Sequence, residues 1–277
     1  MSSVTQSIHC NSKPNPELKS FGGFFETWLH EQERDLEELK AATKAHSEST
    51  QCSAELTQFQ CELIRRVMSH YENYYRVKSE STTENVLGMM SPSWRSSLED
   101  AFLWVGGWRP SIAFHLLYSV SGLQFEAGLS ELLGGVSTCD LGDLSPSQLS
   151  KIDELQRQTI REERELTEIL AVHQETVADS SMVQLSHIAT ELMEDNSERV
   201  ETESMKERVE STLGKKEDKL KEILGKADDL RLRTLKELVD ILSPIQAVHF
   251  LIAAAELHLR VHDWGMKKDH ADEERSC

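Results

Sequence analysis

Apolar positions recur along this chain at three- and four-residue intervals, the period of a helix with one buried side. In FFETWLHEQERDLEELK, Phe25, Trp28, Leu29, Leu36 and Leu39 make one stripe, and Leu56, Phe59, Leu63, Val67, Tyr71 and Tyr74 make the next. Ser79 to Ser93 is polar, carries Pro92 and reads as a loop. A third helix is expected over Trp94–Val105, with Leu98, Ala101, Phe102 and Val105 inward. Gly106-Gly107 would stop it, because glycine takes the left-handed cap at no steric cost. Pro110 suits the first turn of the next helix, whose buried side is Ile112, Leu116, Leu117 and Val120. A short separate helix over Phe125–Leu133 then leads into the loop GGVSTCDLGD.

Two later starts share a pattern, SPSQ at Ser145 and SPIQ at Ser243. Each offers serine as N-cap, proline at the first helical position and glutamine at the third, a capping box. Leu149, Ile152, Leu155, Leu166, Ile169 and Leu170 predict a long helix after the first of them, followed by a shorter segment over Met182–Met193. EDNSERVETESMKE loses apolar content and reads as a linker. Met205, Val209, Leu213, Leu220, Ile223, Leu224 and Leu230 resume the helical period, with Gly214 and Gly225 as places for a bend. Nothing alternates as a strand does. The prediction is an all-α fold: a single multi-helix bundle with a long central helix and a C-terminal helix, over residues 21–268, between polar tails at 1–20 and 269–277.

Composition narrows the function. The 277 residues carry a net charge of −18, which repels a phosphate backbone and argues against direct nucleic-acid binding. No stretch approaches the ~20 apolar residues that span a bilayer, so no membrane role is expected. Five cysteines without CxxC spacing fit a reducing compartment, nucleus or cytoplasm. The chain has no GxSxG, HExxH, P-loop or GxGxxG, and its acidic pairs fall on solvated helix faces. No enzyme is expected.

FLWVGGWRPS, from Phe102 to Ser111, is the most unusual stretch. Its two glycines permit a tight corner, Trp104 and Trp108 bury area on either side, and Arg109 can bond the carbonyls that end the preceding helix or a nearby carboxylate. FLWVGGWRPSIAFHLLYSVSGLQ also resembles the signature of the plant DELAY OF GERMINATION, or seed dormancy control, domain. FFETWLHEQERDLEEL, LSPSQLSKIDELQ and LVDILSPIQAVHFLIAAAELHLRVHDWG resemble three more of its motifs in order, so the likeness runs from about Phe24 to Lys268. The same domain follows a basic region and heptads in the plant bZIP factors that bind TGACG. Here only a short polar stretch precedes it, as in the stand-alone proteins of the family.

His258 and His262 stand four apart in ELHLRVHDWG and share one helix face, ~6 Å from each other. They continue a stripe of Val248, Leu251, Ala255 and Leu259. On the residues alone, three accounts are open: core histidines bonded to carboxylates or carbonyls, a metal half-site, or haem ligation. Zinc asks for four ligands and no partner pair has suitable spacing. The resemblance implies haem, with His258 or His262 as axial ligand and the other beside it, and with Ala255 and Trp264 as pocket wall. His115 is expected to pack, and His249 lies ~180° around the helix from His258. The resemblance further implies a regulator of seed or developmental signalling that acts through protein partners, type 2C protein phosphatases of abscisic-acid signalling among them. A ligand-sensing domain and a transcriptional co-regulator without DNA contact are the other readings. Trp28 and Leu29 are candidates for a partner surface or for the core.

Overall fold

The computed structural model describes residues 16–48, 54–133, 140–194 and 199–276. Most of the predicted N-terminal tail, residues 134–139 of the glycine loop and the start of the predicted linker lie outside them. The described residues are helical, without a strand. In chain order they form α1 (Pro16–Glu48), α2 (Ala54–Glu84), α3 (Val86–Met90), α4 (Ser97–Asp100), α5 (Ile112–Leu133), α6 (Pro146–Glu175), α7 (Ser180–Glu194), α8 (Arg199–Ile241) and α9 (Pro244–Ser276). None is long and apolar enough to cross a membrane.

Both predicted capping boxes form. Ser145 Oγ accepts from the Gln148 amide at 3.2 Å and Gln148 Oε1 accepts from the Ser145 amide at 2.9 Å. Ser243 and Gln246 do the same at 3.4 and 3.0 Å. Because the first amides of a helix have no intrahelical acceptor, these boxes fix where α6 and α9 begin.

Several expected breaks are absent. α2 continues through Glu84, because Thr82 and Thr83 donate back to the carbonyls of Lys78 and Ser79 instead of competing with the helix. α5 runs unbroken through Phe125–Leu133. α8 is helical from Arg199, across most of the predicted linker, and passes through Gly214 and Gly225. α9 extends through Ser276, beyond Lys268.

Two cores hold the bundle. One joins Leu39 of α1, Leu63 and Val67 of α2, Phe114 and Leu117 of α5, Ile152 of α6, Leu238 of α8 and Leu251 of α9. The other gathers Phe21, Phe25 and Trp28 of α1, Tyr74 of α2, Trp104 and Val105 of the corner, and Ile223, Leu224 and Leu230 of α8. Each fully buried Phe or Leu contributes ~1.5–3 kcal/mol of transfer free energy. Trp28 is thus core, not surface, and Tyr71 packs against both clusters.

The segment Trp94–Val105 differs most from expectation. Only Ser97–Asp100 is helical, capped by Ser96 and Glu99, and Ala101 and Phe102 are exposed. Trp104 and Gly107 then exchange backbone hydrogen bonds, at 2.7 and 3.3 Å, around Val105 at φ 49° and Gly106 at φ 64°. Two successive left-handed residues make a reversal of the primed-turn kind. A β-branched residue there is strained by ~1–3 kcal/mol, so other contacts must hold it.

Candidate functional site

Those contacts are three buried charges from α2 and α8. Arg231 donates from Nε to the Trp108 carbonyl at 2.6 Å, from Nη2 to the carbonyls of Val105 at 2.9 Å and of Trp104, and from Nη1 to Asp228 at 2.5 Å. Lys78 donates to the Gly106 carbonyl at 2.9 Å and to Asp228 at 2.8 Å. Four corner carbonyls that no helix satisfies are therefore captured by two cations, and Asp228 offsets part of their charge. Burial pulls the Lys78 amine down to about 8, against the opposing pull of Asp228. Of its two expected roles, Arg109 takes the carboxylate one and not the carbonyl one. It stacks over Trp104 at 5.6 Å, with its Nε 3.9 Å from Glu163. Glu163 accepts from the Ser111 amide at 2.6 Å and hydroxyl at 3.0 Å, which seats the start of α5.

The corner has no room for side chains. A Cβ on Gly106 would stand 2.6 Å from the Met89 carbonyl, and one on Gly107 2.9 Å from the Arg231 guanidinium carbon. Gly106→Ala adds a left-handed penalty to a clash with fixed backbone, and is expected to cost about 2 kcal/mol or more. Thermal melts of the variant check this.

Beside the corner lies a cleft of about 580 Å³. Trp28, Tyr71 and Tyr74 line it from α1 and α2, Ile112 and Leu116 from α5, and Phe250, Leu257 and His258 from α9. Phe102, Leu257 and Trp264 are largely exposed and also border it, an apolar rim of the kind that marks a binding site. Polar groups are few: Gln32, Lys78, Arg95, Arg109, Arg231, Thr234 and His258 supply the main ones.

The two predicted histidines have different surroundings. His258 borders the cleft. Its Nδ1 lies 2.8 Å from Gln32 Oε1, while Gln32 Nε2 donates to the Tyr71 hydroxyl at 3.0 Å. With the amide nitrogen already committed as donor, Gln32 Oε1 must accept, so Nδ1 carries the proton and Nε2 keeps its lone pair. Burial, with help from Arg95 and His262 and against Glu99, pulls the ring down to about 3, so it is neutral near pH 7. Trp28 and Trp108 meet the ring edge-on at 5.4 and 6.3 Å.

His262 is not among the cleft-lining residues. Its Nδ1 donates to Glu99 Oε2 at 2.8 Å, and the same oxygen accepts from the Ser96 amide and hydroxyl at 2.9 and 2.8 Å. Burial alone would raise the Glu99 carboxyl, but these bonds outweigh it and hold it at about 2. His262 thus matches the first account, a core histidine bonded to a carboxylate. One turn on, Gly265 packs so closely on Ser96 that a Cβ would come within 2.1 Å of its hydroxyl, and Asp269 accepts from the Ser97 amide at 2.8 Å.

Of the expected wall residues, Trp264 borders the cleft and Ala255 does not, being buried. His115 is exposed rather than packed. His249 bonds Gln124 at 3.2 Å, away from the cleft. Among the described residues no group of three or more His, Cys, Asp or Glu could hold a metal ion.

The residues that sequence reasoning missed are Gln32, Lys78, Arg95, Asp228 and Arg231. Three of them carried a signal. Gln32 interrupts the stripe Phe25, Trp28, Leu36; Lys78 follows Val67, Tyr71 and Tyr74; Arg231 follows Ala227 and Leu230. A polar residue at a buried register needs a partner, and each of these has one across the bundle.

Comparison with known proteins finds relatives over most of the chain. The profile of the DOG1 family, seed dormancy control, matches residues 35–119. The chain is 32% identical over 258 residues to Protein DOG1-like 3 of Arabidopsis thaliana, covering 89% of this chain and 84% of that protein. It is 27% identical to Protein RESPONSE TO ABA AND SALT 1 of the same plant, over 88% of this chain and 94% of that one. Transcription factor TGA1 is 26% identical over 93% of this chain, which spans 58% of that longer protein. The chain therefore belongs to the seed dormancy control family: it is a DOG1-like plant regulatory protein, related to the TGA transcription factors.

Proposed function

We propose that the chain regulates seed or developmental signalling linked to abscisic acid, that it does so by binding other proteins, and that it catalyses no reaction. The carrying observation is the near full-length match to DOG1-like proteins and to a protein named for its response to abscisic acid and salt. The partner class is type 2C protein phosphatases, met in the nucleus, the cytoplasm or both. A net charge of −18 argues that any effect on transcription comes through a partner and not through DNA contact. Purified chain is expected to retain such a phosphatase on a column. Failure to bind across a panel of these enzymes would remove the partner class.

The cleft adds a sensing role to this reading, with haem as the ligand the family suggests. What supports haem is the donor set: a neutral imidazole with its Nε2 lone pair free, on a wall that is mostly aromatic and aliphatic. His258 would hold the iron, and His262, committed to Glu99, would not. Haem, when bound, would supply a redox-active iron able to take a diatomic gas. Hemin titration is expected to give a shifted Soret band that His258→Ala removes and His262→Ala retains. A wild-type spectrum that never departs from free hemin would end the haem reading.

A further inference from the structure

Arg95 is a buried cation of the cleft that lacks a full set of acceptors. It is 9% exposed, its guanidinium lies over the Phe25 ring at 5.8 Å, and Nη2 donates to the Tyr74 hydroxyl at 3.3 Å. Nε and Nη1 are buried and bond nothing. Trp108 Nε1, on the same cleft, is likewise unpartnered. Of the other three cations, Lys78 and Arg231 are committed to Asp228 and the corner carbonyls, and Arg109 is half exposed, over Trp104 and beside Glu163. An unpaired buried guanidinium opposes folding, since its hydration is lost and not replaced. Strain of this kind, held inside an apolar cleft, marks a place where a ligand completes the bonds.

We infer that the cleft binds an aromatic carboxylic acid, its ring system against the tryptophan and phenylalanine walls and its carboxylate on the Arg95 guanidinium. A planar fork of N–H donors matches a carboxylate, and Trp108 offers one more donor on the same cleft. The apolar walls (Trp28, Phe102, Ile112, Leu116, Trp264) select against a small, strongly hydrated anion such as phosphate. The aromatic share of the lining favours a flat body over a flexible chain. This inference rests on the cleft being a ligand site, and not on haem being the ligand. A porphyrin propionate presents the same chemistry, so the test must separate the two sources.

The probes are 2-naphthoate and 2-naphthamide, which share a body and differ in charge, read by tryptophan quenching and by thermal shift. Wild type is expected to prefer the acid by about ten-fold or more, the worth of one charge-assisted pair. Arg95→Met is expected to erase that preference while melting no lower than wild type, because it removes a buried cation that lacks partners. Arg95→Lys keeps the charge without the fork and is expected to keep a weakened preference, which leaves the test readable if the methionine variant does not fold. Loss of a Soret shift is read at His258→Ala and loss of the acid preference at Arg95→Met, so the haem reading and this one can fail separately. Equal binding of acid and amide overturns the inference for free acids. Comparing hemin with its dimethyl ester then asks whether a propionate is the source, and equal binding there overturns the inference entirely. A lowered melting temperature of Arg95→Met with the preference unchanged also overturns it, and assigns the guanidinium to the fold, for instance to the unpartnered Glu99 Oε1.

Discussion

Arg231→Met is expected to lower the stability of the protein by ~4 kcal/mol, near the top of the range for any single substitution. The side chain is 6% exposed and donates to three backbone carbonyls and one carboxylate. Methionine leaves the carbonyls of Val105 and Trp108 without their donor, each at a cost of ~1–3 kcal/mol, partly recovered where cleft water reaches them, and leaves that of Trp104 with only the 3.3 Å bond from the Gly107 amide. It also releases the strained Val105–Gly106 turn, whose left-handed backbone has no other anchor as strong. Urea unfolding at neutral pH measures this, with a midpoint expected to fall by about 1 M or more at an m-value of roughly 3 kcal/mol/M. Arg233, two residues along α8, is the internal control. It is half exposed and pairs with Glu162 and Glu237 at the surface, so Arg233→Met is expected to change stability by no more than ~1 kcal/mol. If both variants unfold together, the corner does not depend on the buried cations. Combining Arg231→Met with Asp228→Asn should cost less than the two separately, because the pair is in direct contact.

The same network shows where sequence reading succeeds and where it stops. Helical period and capping residues are local quantities, so the α6 and α9 starts at Ser145 and Ser243 could be placed from four residues each. The Ser79–Ser93 loop was misplaced because polarity alone does not show that Lys78 and Thr82 face inward. The Trp94–Val105 helix failed for a different reason. Its spacing is helical, but Arg231 and Lys78 take its would-be terminal carbonyls from positions 126 and 28 residues away in sequence. No local window contains that competition. For the histidines, the four-residue spacing gave the shared face correctly. It could not tell that Glu99 of α4 claims one ring and that the cleft receives the other, since both partners arrive by tertiary packing.

That division between the histidines makes stability depend on pH through His258. In the unfolded chain the imidazole takes a proton near pH 6.5; in the fold it resists one until about 3. Between those values the unfolded state binds more protons, so stability is complete above pH 6.5 and erodes as the pH falls. The lost hydration of the ring is the largest cause; the charges of Arg95 and His262 add to it, and Glu99 opposes it. The slope can reach ~1.4 kcal/mol per pH unit for one fully shifted group, with less expected here because part of the ring meets the open cleft. His249, also lowered by burial, adds to the same slope. Glu99 enters later: its carboxyl, held at about 2, contributes stability that is lost only below pH 4.5. Urea midpoints for wild type are therefore expected to drop between pH 6.5 and 4.5. His258→Asn keeps a donor near the Nδ1 position for Gln32 and has nothing to titrate, so it should flatten most of that drop while leaving the steeper loss below pH 4.5. An unchanged profile in the upper window would mean that the ring already accepts its proton in the folded state, and the free Nε2 lone pair assigned to the cleft would go with it.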